Sequence, residues 1–425
     1  DEEGLELVER REAPDVVKQG DETDDQPMLE TDDDPEVLEC RALVGIPGTC
    51  FNFINSIVGA GIIGLPFAIK ESGLFLGAIL LVVFAVLTDY GVRLLVRVGV
   101  ANGLDSYEAV CKQAFGTAGE LAVAAFMWSF AVGAQIAYLI IIGDTVPVVM
   151  GHWFPTVPIF SSRRFWILGV ATLVILPLCL YRDLSKLAKT SFLSLSADVG
   201  IVLVVLARAG EAASKDWETV PRPPDSYTWA FAHPDFFQGM GAMAFAYVCH
   251  HTSFLVFLGL KERTPRRWRV VSHVSVGFAF VLSMLLALPA FHHFSDRTCG
   301  DVLNNFPVGD IAIDISRLLL ALTMILTFPM EFFVSRQAFL SVVQCKFPLN
   351  PRADRVHYPV SLLKWLFTVV VGVSVRDLGV VLELTGGFSA VFLGYILPAA
   401  CAIKLAPNGI RSLLDASRWR QSLAE

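Results

Sequence analysis

Ten stretches of this chain are long and apolar enough to cross a lipid bilayer, and that requirement constrains the fold more than any other feature. A spanning helix needs about 20 mostly apolar residues. The stretches run approximately over 46–69, 74–98, 119–149, 164–181, 189–208, 235–259, 269–294, 311–336, 358–375 and 378–404. Composition agrees: 54% of the residues are hydrophobic and 17% charged, against about 25% charged in a soluble domain. Mean hydropathy is +0.58. Too little polar surface remains to coat a globule, so the chain reads as an all-α polytopic membrane protein. The segment 151–160 is apolar but short and carries Pro155 and Pro158; it reads as a loop.

The formal charge of −8 belongs to one end. Residues 1–40 hold 17 acidic and 3 basic residues, and the rest of the chain holds 24 and 30. A segment this acidic, with few aromatic or β-branched residues, cannot bury enough apolar area to offset its ordering entropy. Residues 1–42 therefore read as a disordered acidic tail, 43–405 as the membrane domain and 406–425 as a short basic tail. The tail lacks the apolar core of a cleaved signal peptide. Lys and Arg concentrate on the cytoplasmic side of membrane proteins. Lys261, Arg263, Arg266, Arg267 and Arg269 crowd one short connection, which places the amino terminus inside. The eight cysteines show no C-x-x-C pair and no zinc-like spacing with His, so no disulfide framework is expected.

Ten spans divide into two halves of five, about 46–208 and 235–404. Span one contains Ile57-Val58-Gly59-Ala60-Gly61-Ile62-Ile63-Gly64-Leu65-Pro66, and span six contains Gly239-Met240-Gly241-Ala242-Met243-Ala244-Phe245-Ala246-Tyr247-Val248-Cys249-His250. Glycine-rich interruptions at matching places in two halves point to a transporter binding site. Gly lets a helix unwind, and bared backbone groups survive at mid-membrane only where they line a cavity or meet a ligand. Bared amides at the start of the next half-helix suit a carboxylate. Freed carbonyls suit an ammonium group or a metal cation. The competing reading is that these glycines only allow close helix packing. Two interrupted spans in matching positions favour the site.

The first-span run Phe51-Asn52-Phe53-Ile54-Asn55-Ser56-Ile57-Val58-Gly59-Ala60-Gly61-Ile62-Ile63-Gly64-Leu65-Pro66-Phe67-Ala68 closely resembles that of the sodium-coupled neutral amino acid transporters, within the amino acid/auxin permease family. So do Ala137-Tyr138-Leu139 through Gly143-Asp144-Thr145-Val146-Pro147, Ala244-Phe245-Ala246-Tyr247-Val248-Cys249-His250-His251, and Thr323-Met324-Ile325-Leu326-Thr327-Phe328-Pro329-Met330-Glu331. The doubled His and the Pro-Met-Glu sequence look most like the family's eleventh branch. The resemblance covers about 43–405. It implies a leucine-transporter-type fold with an inverted five-plus-five repeat, and secondary active transport of small neutral amino acids by alternating access, coupled to sodium as the only cofactor-like ion. It also implies an eleventh span, which has no counterpart after Lys404, so a shortened chain is expected.

By resemblance, sodium sits between spans one and eight, on Asn55 and Thr327 with the carbonyls of Val58 and Met324. These are neutral oxygen donors, which suit a hard cation. Thr327 has a plainer alternative, back-bonding to Thr323 or Met324 in its own helix. The substrate would lie against Gly59, Ala60 and Gly61, with Phe245, Ala246 and Tyr247 completing the pocket and the Tyr138 hydroxyl turned to its carboxylate. Lys189, at the start of span five, is either a snorkelling cytoplasmic Lys or, as in related transporters, an internal cation replacing sodium. That second reading would make the protein proton-coupled or an exchanger.

An ionised residue at the bilayer centre costs about 2.5–3.5 kcal/mol even on the lenient scale, so each needs a role. Asp198, near the middle of span five, is a proton carrier or a neutral hydrogen-bonded acid. His250 is a proton-coupling candidate or a neutral, satisfied imidazole. Asp89 and Arg93 suit an i,i+4 pair. Glu383 and Arg317 read as interfacial anchors or an outer gate, and Glu331 has Arg336 nearby as a partner. No H-E-x-x-H, G-x-S-x-G or P-loop is present, which argues against an enzyme, and no pore loop or charge ring suggests a channel. An amino acid sensor using the same site stays open. Expected partners are a small neutral amino acid, sodium or protons, and the lipid bilayer, with no nucleic acid. The plasma membrane is favoured over the lysosome.

Overall fold

The computed structural model describes residues 44–181, 191–214, 225–344 and 354–405. The two tails and Lys189 lie outside the described residues. Among the described residues, nine helices are long and apolar enough to span a membrane, and one bent pair makes a tenth span. We number the helices in chain order and keep the span count of the sequence. Span one is α1 (Ile46–Ile57) and α2 (Ala60–Ser72), span two α3 (Leu74–Ala101), span three α4 (Tyr107–Trp153) and span four α5 (Arg163–Leu180). Span five is α6 (Ser191–Ser214), span six α7 (Phe236–Tyr247) with α8 (His250–Leu258), and span seven α9 (Pro265–Phe294). Spans eight, nine and ten are α10 (Ile311–Gln344), α11 (Asp354–Ser374) and α12 (Leu378–Leu405).

Local sequence sets the ends. The Ser106 hydroxyl accepts from the Ala109 amide to open α4, and Thr264 does the same for Arg267 at the start of α9, where Pro265 fills the first turn. Gly73, at φ 88°, turns the chain sharply from α2 into α3. Gly116, at φ 67°, kinks α4, so its first residues form a separate short helix ahead of the predicted 119–149 span. The segment predicted as a loop at 151–160 begins as the end of α4 and ends in a 3-10 turn at Pro158–Ser161.

The helices sort into two sets. In one, α4 and α10 form the most extensive helix pair, with α11 and α5 also packed on α4 and α6 on α10. In the other, α7 packs on α2, and α9 packs on α1, α2 and α3. Span ten lies against α7, α4 and α3, and α6 touches both sets. Spans one and six are also clipped together at both ends. Val44 exchanges backbone bonds with Gly259 and Lys261 at one end, each 2.9 Å. At the other, the His233 amide donates to the Ser72 carbonyl at 3.0 Å, and Leu76, at the start of span two, donates to the Phe231 carbonyl at 2.9 Å.

Several charges are placed by this packing. Arg93 pairs with Asp89 as its i,i+4 spacing predicts, and Asp89 also meets Ser272 at 2.7 Å and His273 at 3.0 Å on α9. Arg317 corrects the sequence reading, because it is neither an interfacial anchor nor a gate. Its side chain is 2% exposed and pairs with Asp314 at 2.8 Å. It donates to the carbonyls of Leu303, Phe306 and Pro307, fastening the connection before α10 onto that helix.

Candidate functional site

Span one breaks at Val58-Gly59, between α1 and α2, with a bend of 50°. Val58 (φ −86°, ψ 81°) and Gly59 (φ −124°, ψ −143°) leave the helical region. No side chain caps α2, so its first amides, those of Ala60 and Gly61, sit at the positive end of a helix dipole. The Tyr138 hydroxyl from α4 lies over this point: a methyl added at Gly59 would stand 3.6 Å from it. The Tyr138 ring is 6.3 Å from that of Phe328 on α10, and its hydroxyl faces the Thr327 side chain. Tyr138 thus joins the break to span eight, through hydroxyls and bare amides that could hold a carboxylate.

Span six departs from the sequence reading. The expected unwinding at Gly239 and Gly241 does not occur, because both lie inside α7. A Cβ at Gly239 would collide with Ser72 and the Ala68 carbonyl, and one at Gly241 would come within 2.7 Å of the Glu383 carbonyl. These glycines permit close packing, the reading set aside for them. Span six instead breaks at Val248-Cys249, which contain no glycine. Phe245, Ala246 and Tyr247 form the last turn of α7 before that break, all buried. Ala246 lies directly on Gly61: a Cβ added at Gly61 would stand 2.7 Å from the Ala246 Cβ and 3.2 Å from its amide nitrogen. The Phe245 ring is 5.3 Å from that of Phe130. The Tyr247 carbonyl accepts from Thr88 on α3 at 3.4 Å. The residues expected to line a substrate pocket are therefore gathered at the two breaks.

The residues expected to bind sodium are all buried. Asn55 Oδ1 has no hydrogen-bond partner among the described residues, leaving an oxygen able to ligate a cation. The Thr327 hydroxyl donates to the Thr323 carbonyl at 2.7 Å and lies 3.4 Å from that of Met324. That is the back-bonded arrangement, and it still leaves the hydroxyl oxygen's lone pairs available. Asp198 is 3% exposed, and its Oδ2 has no partner among the described residues. His250 is fully buried, with neither ring nitrogen bonded. It fills the space left by Gly91 on α3 and Gly394 on α12, where a Cβ at Gly91 would stand 2.6 Å from Nε2.

One polar cluster escapes sequence reasoning. Glu331 Oε1 is 3.2 Å from His251 Nε2, joining spans eight and six. Ser335 donates to the Glu331 carbonyl at 2.7 Å, Gln135 Nε2 to the Ser335 hydroxyl at 3.0 Å, and Lys364 Nζ to Gln135 Oε1 at 2.7 Å. Lys364 Nζ also lies 3.8 Å from the Phe332 ring centre, a cation–π contact. Arg336 donates to the Cys179 carbonyl and the Ser361 hydroxyl. A Lys inside the 358–375 stretch was the available signal. Among the described residues, no group of three or more His, Cys, Asp or Glu could hold a metal.

Residues 45–421 match the family described as "Transmembrane amino acid transporter protein". The chain is 36% identical over 367 residues to a Danio rerio protein named "Putative sodium-coupled neutral amino acid transporter 11", covering 85% of this chain and 79% of that one. It is 31% identical over 357 residues to "Vacuolar amino acid transporter 2" of Saccharomyces cerevisiae, covering 82% and 74%. Among solved structures, a manganese transporter of Eremococcus coleocola matches with a TM-score of 0.50 at 14% identity, covering 88% of this chain and 82% of that one. The last likeness concerns the fold alone, which is of the leucine-transporter type. Matched over most of its length in sequence and in helix arrangement, the chain is a multi-span membrane protein of the transmembrane amino acid transporter family.

Proposed function

We propose that this protein is a secondary active transporter of small neutral amino acids, coupled to sodium and working by alternating access. The observation that carries the reading is the span-one break, where the uncapped start of α2 lies under the Tyr138 hydroxyl. A substrate carboxylate would take those amides and that hydroxyl. Its ammonium group would take carbonyls at the breaks, and Phe245, Ala246 and Tyr247 would form the opposite wall. Sodium would lie on Asn55 Oδ1, the Thr327 oxygen and the carbonyls of Val58 and Met324. The names of the relatives support both substrate and ion. The two helix sets would rock against each other, in keeping with an inverted five-plus-five repeat, with the amino terminus in the cytoplasm. A vacuolar relative and the plasma-membrane expectation make the cell membrane and an internal one alternative sites of action.

A second reading, proton coupling or exchange, is favoured by the buried, unpartnered oxygen of Asp198. A sensor that binds without transport would use the same pocket. Purified protein in liposomes, offered labelled glutamine, asparagine or alanine, separates these. Sodium-dependent accumulation supports the proposal, accumulation unchanged in choline moves the coupling to protons or exchange, and saturable binding without accumulation indicates a sensor.

A further inference from the structure

We propose that His251 and Glu331 form a proton-binding site, distinct from the substrate and sodium sites, that loads and unloads one proton in each transport cycle. The inference rests on the transporter reading and adds a second ion to it.

Position comes first. His251 lies in the first turn of α8, just past the span-six break, and Glu331 lies one turn beyond Thr327 on α10. Their 3.2 Å contact crosses from one helix set to the other. It therefore lies where any relative movement of the sets must be felt. Both side chains are almost wholly enclosed, at 1% and 10% exposed. Ionisable groups so placed within spans are costly to keep and need a role.

The chemistry of the pair follows from what each partner leaves unbonded. With the His251 Nε2–H donated to Glu331, the lone pair is on Nδ1, which has no partner among the described residues; neither has Glu331 Oε2. A proton arriving at Nδ1 forms one N–H bond and converts the neutral imidazole to an imidazolium. The contact with the Glu331 carboxylate then becomes an ion pair, with charge on the donor as well as on the acceptor. Proton loading would thus tighten the join between spans six and eight, and release to water would loosen it. His250, next in sequence, packs between two glycines and makes no such join.

Other ionisable groups surround the pair. Lys364 on α11 and Arg336 on α10 lie behind Glu331, with Cys179 of α5 close to both. Tyr138 on α4 lies within electrostatic reach of Glu331 and of Asp198 on α6, and Asp89 on α3 within reach of Cys249 at the span-six break. Lys364 is held by a neutral amide and an aromatic ring. One proton arriving at the pair changes the charge of this cluster by a full unit.

The test uses the full chain in liposomes containing a pH-sensitive dye, with labelled glutamine and alanine outside and sodium on both sides. Uptake by the wild type should be accompanied by a pH change inside. His251→Gln and Glu331→Gln should each abolish that change and flatten the pH profile of uptake, while its sodium dependence persists. Uptake by the wild type with no pH change would overturn the proton site and leave amino acid transport standing. Proton movement undiminished in both variants would overturn the assignment to these residues. No uptake of either amino acid under any gradient would overturn the transporter reading and the proton site together.

Discussion

The contact of Gly61 with Ala246, between the two broken spans, provides a sharp test of the packing. Adding one methyl group at Gly61 places it 2.7 Å from the Ala246 Cβ and 3.2 Å from the Ala246 nitrogen, with the Ala246 Cα closer still. Carbon atoms settle at about 3.5–4.0 Å, so α2 and α7 would have to separate by about 1 Å. The obstructing atoms are backbone and Cβ, with no flexible side-chain end to swing aside. Overpacking typically costs about 1–3 kcal/mol, and a backbone collision belongs at the upper end. Since about 1.4 kcal/mol is a factor of ten, a strain of about 3 kcal/mol would lower the population of the packed state about a hundredfold. Gly61→Ala should therefore lower the melting temperature in detergent and reduce uptake at least about tenfold. Gly169→Ala is the control, because a Cβ there meets nothing within 4 Å, and it should leave both unchanged. If Gly61→Ala matched the wild type in melting and uptake, the close packing of spans one and six described above would be wrong.

Other perturbations have outcomes set by the same geometry. Arg317→Ala would leave the buried Asp314 carboxylate without its ion-pair partner and three carbonyls without their donor. Breaking a buried pair costs about 3–5 kcal/mol, and thermal unfolding should show a large loss even if the substrate site is intact. Tyr138→Phe removes a hydroxyl proposed to meet the substrate carboxylate. A hydrogen bond to a charged group is worth about 1.5–3 kcal/mol, so KM for uptake should rise about tenfold or more with little change in melting temperature. Asp301, in the connection before α10, is 2% exposed, and burial lifts its carboxyl to about 7, with Asp144 adding to the rise and Leu303 and Arg317 opposing it. A carboxyl raised on folding stabilises the fold below its unfolded value, about 3.9, and that contribution is lost as pH rises through about 7. Asp301→Asn should therefore gain stability relative to the wild type between pH 5 and pH 8; an equal difference at both pH values would refute the assignment.

The spans were legible because bilayer thickness imposes a length on every crossing helix, and the predicted stretches correspond to the spans seen among the described residues. The break in span one was legible for a local reason, since Gly59 sits where the helix unwinds. Span six was not, because the same residue type serves two ends. Gly239 and Gly241 are needed where α7 presses on α2 and span ten, whereas unwinding falls at Val248-Cys249, where no residue type announces it. Arg317 looked like a residue at a membrane surface because its partners, the Leu303 and Phe306 carbonyls, are backbone atoms of a connection whose path no periodicity reveals. Lys364 could be seen as a charge within an apolar stretch. Its partner Gln135 is 229 positions away in sequence, and only the packing of α11 on α4 brings them together.

The central claim is that an amino acid binds at the span-one break. Its most direct test is a high-resolution structure of the protein in liposome-derived nanodiscs with a saturating transported amino acid and sodium. The account predicts the substrate carboxylate within hydrogen-bond distance of the Ala60 or Gly61 amide and the Tyr138 hydroxyl, with Phe245 against its other side. An amino acid bound elsewhere, with the α2 amides and Tyr138 untouched, would contradict it.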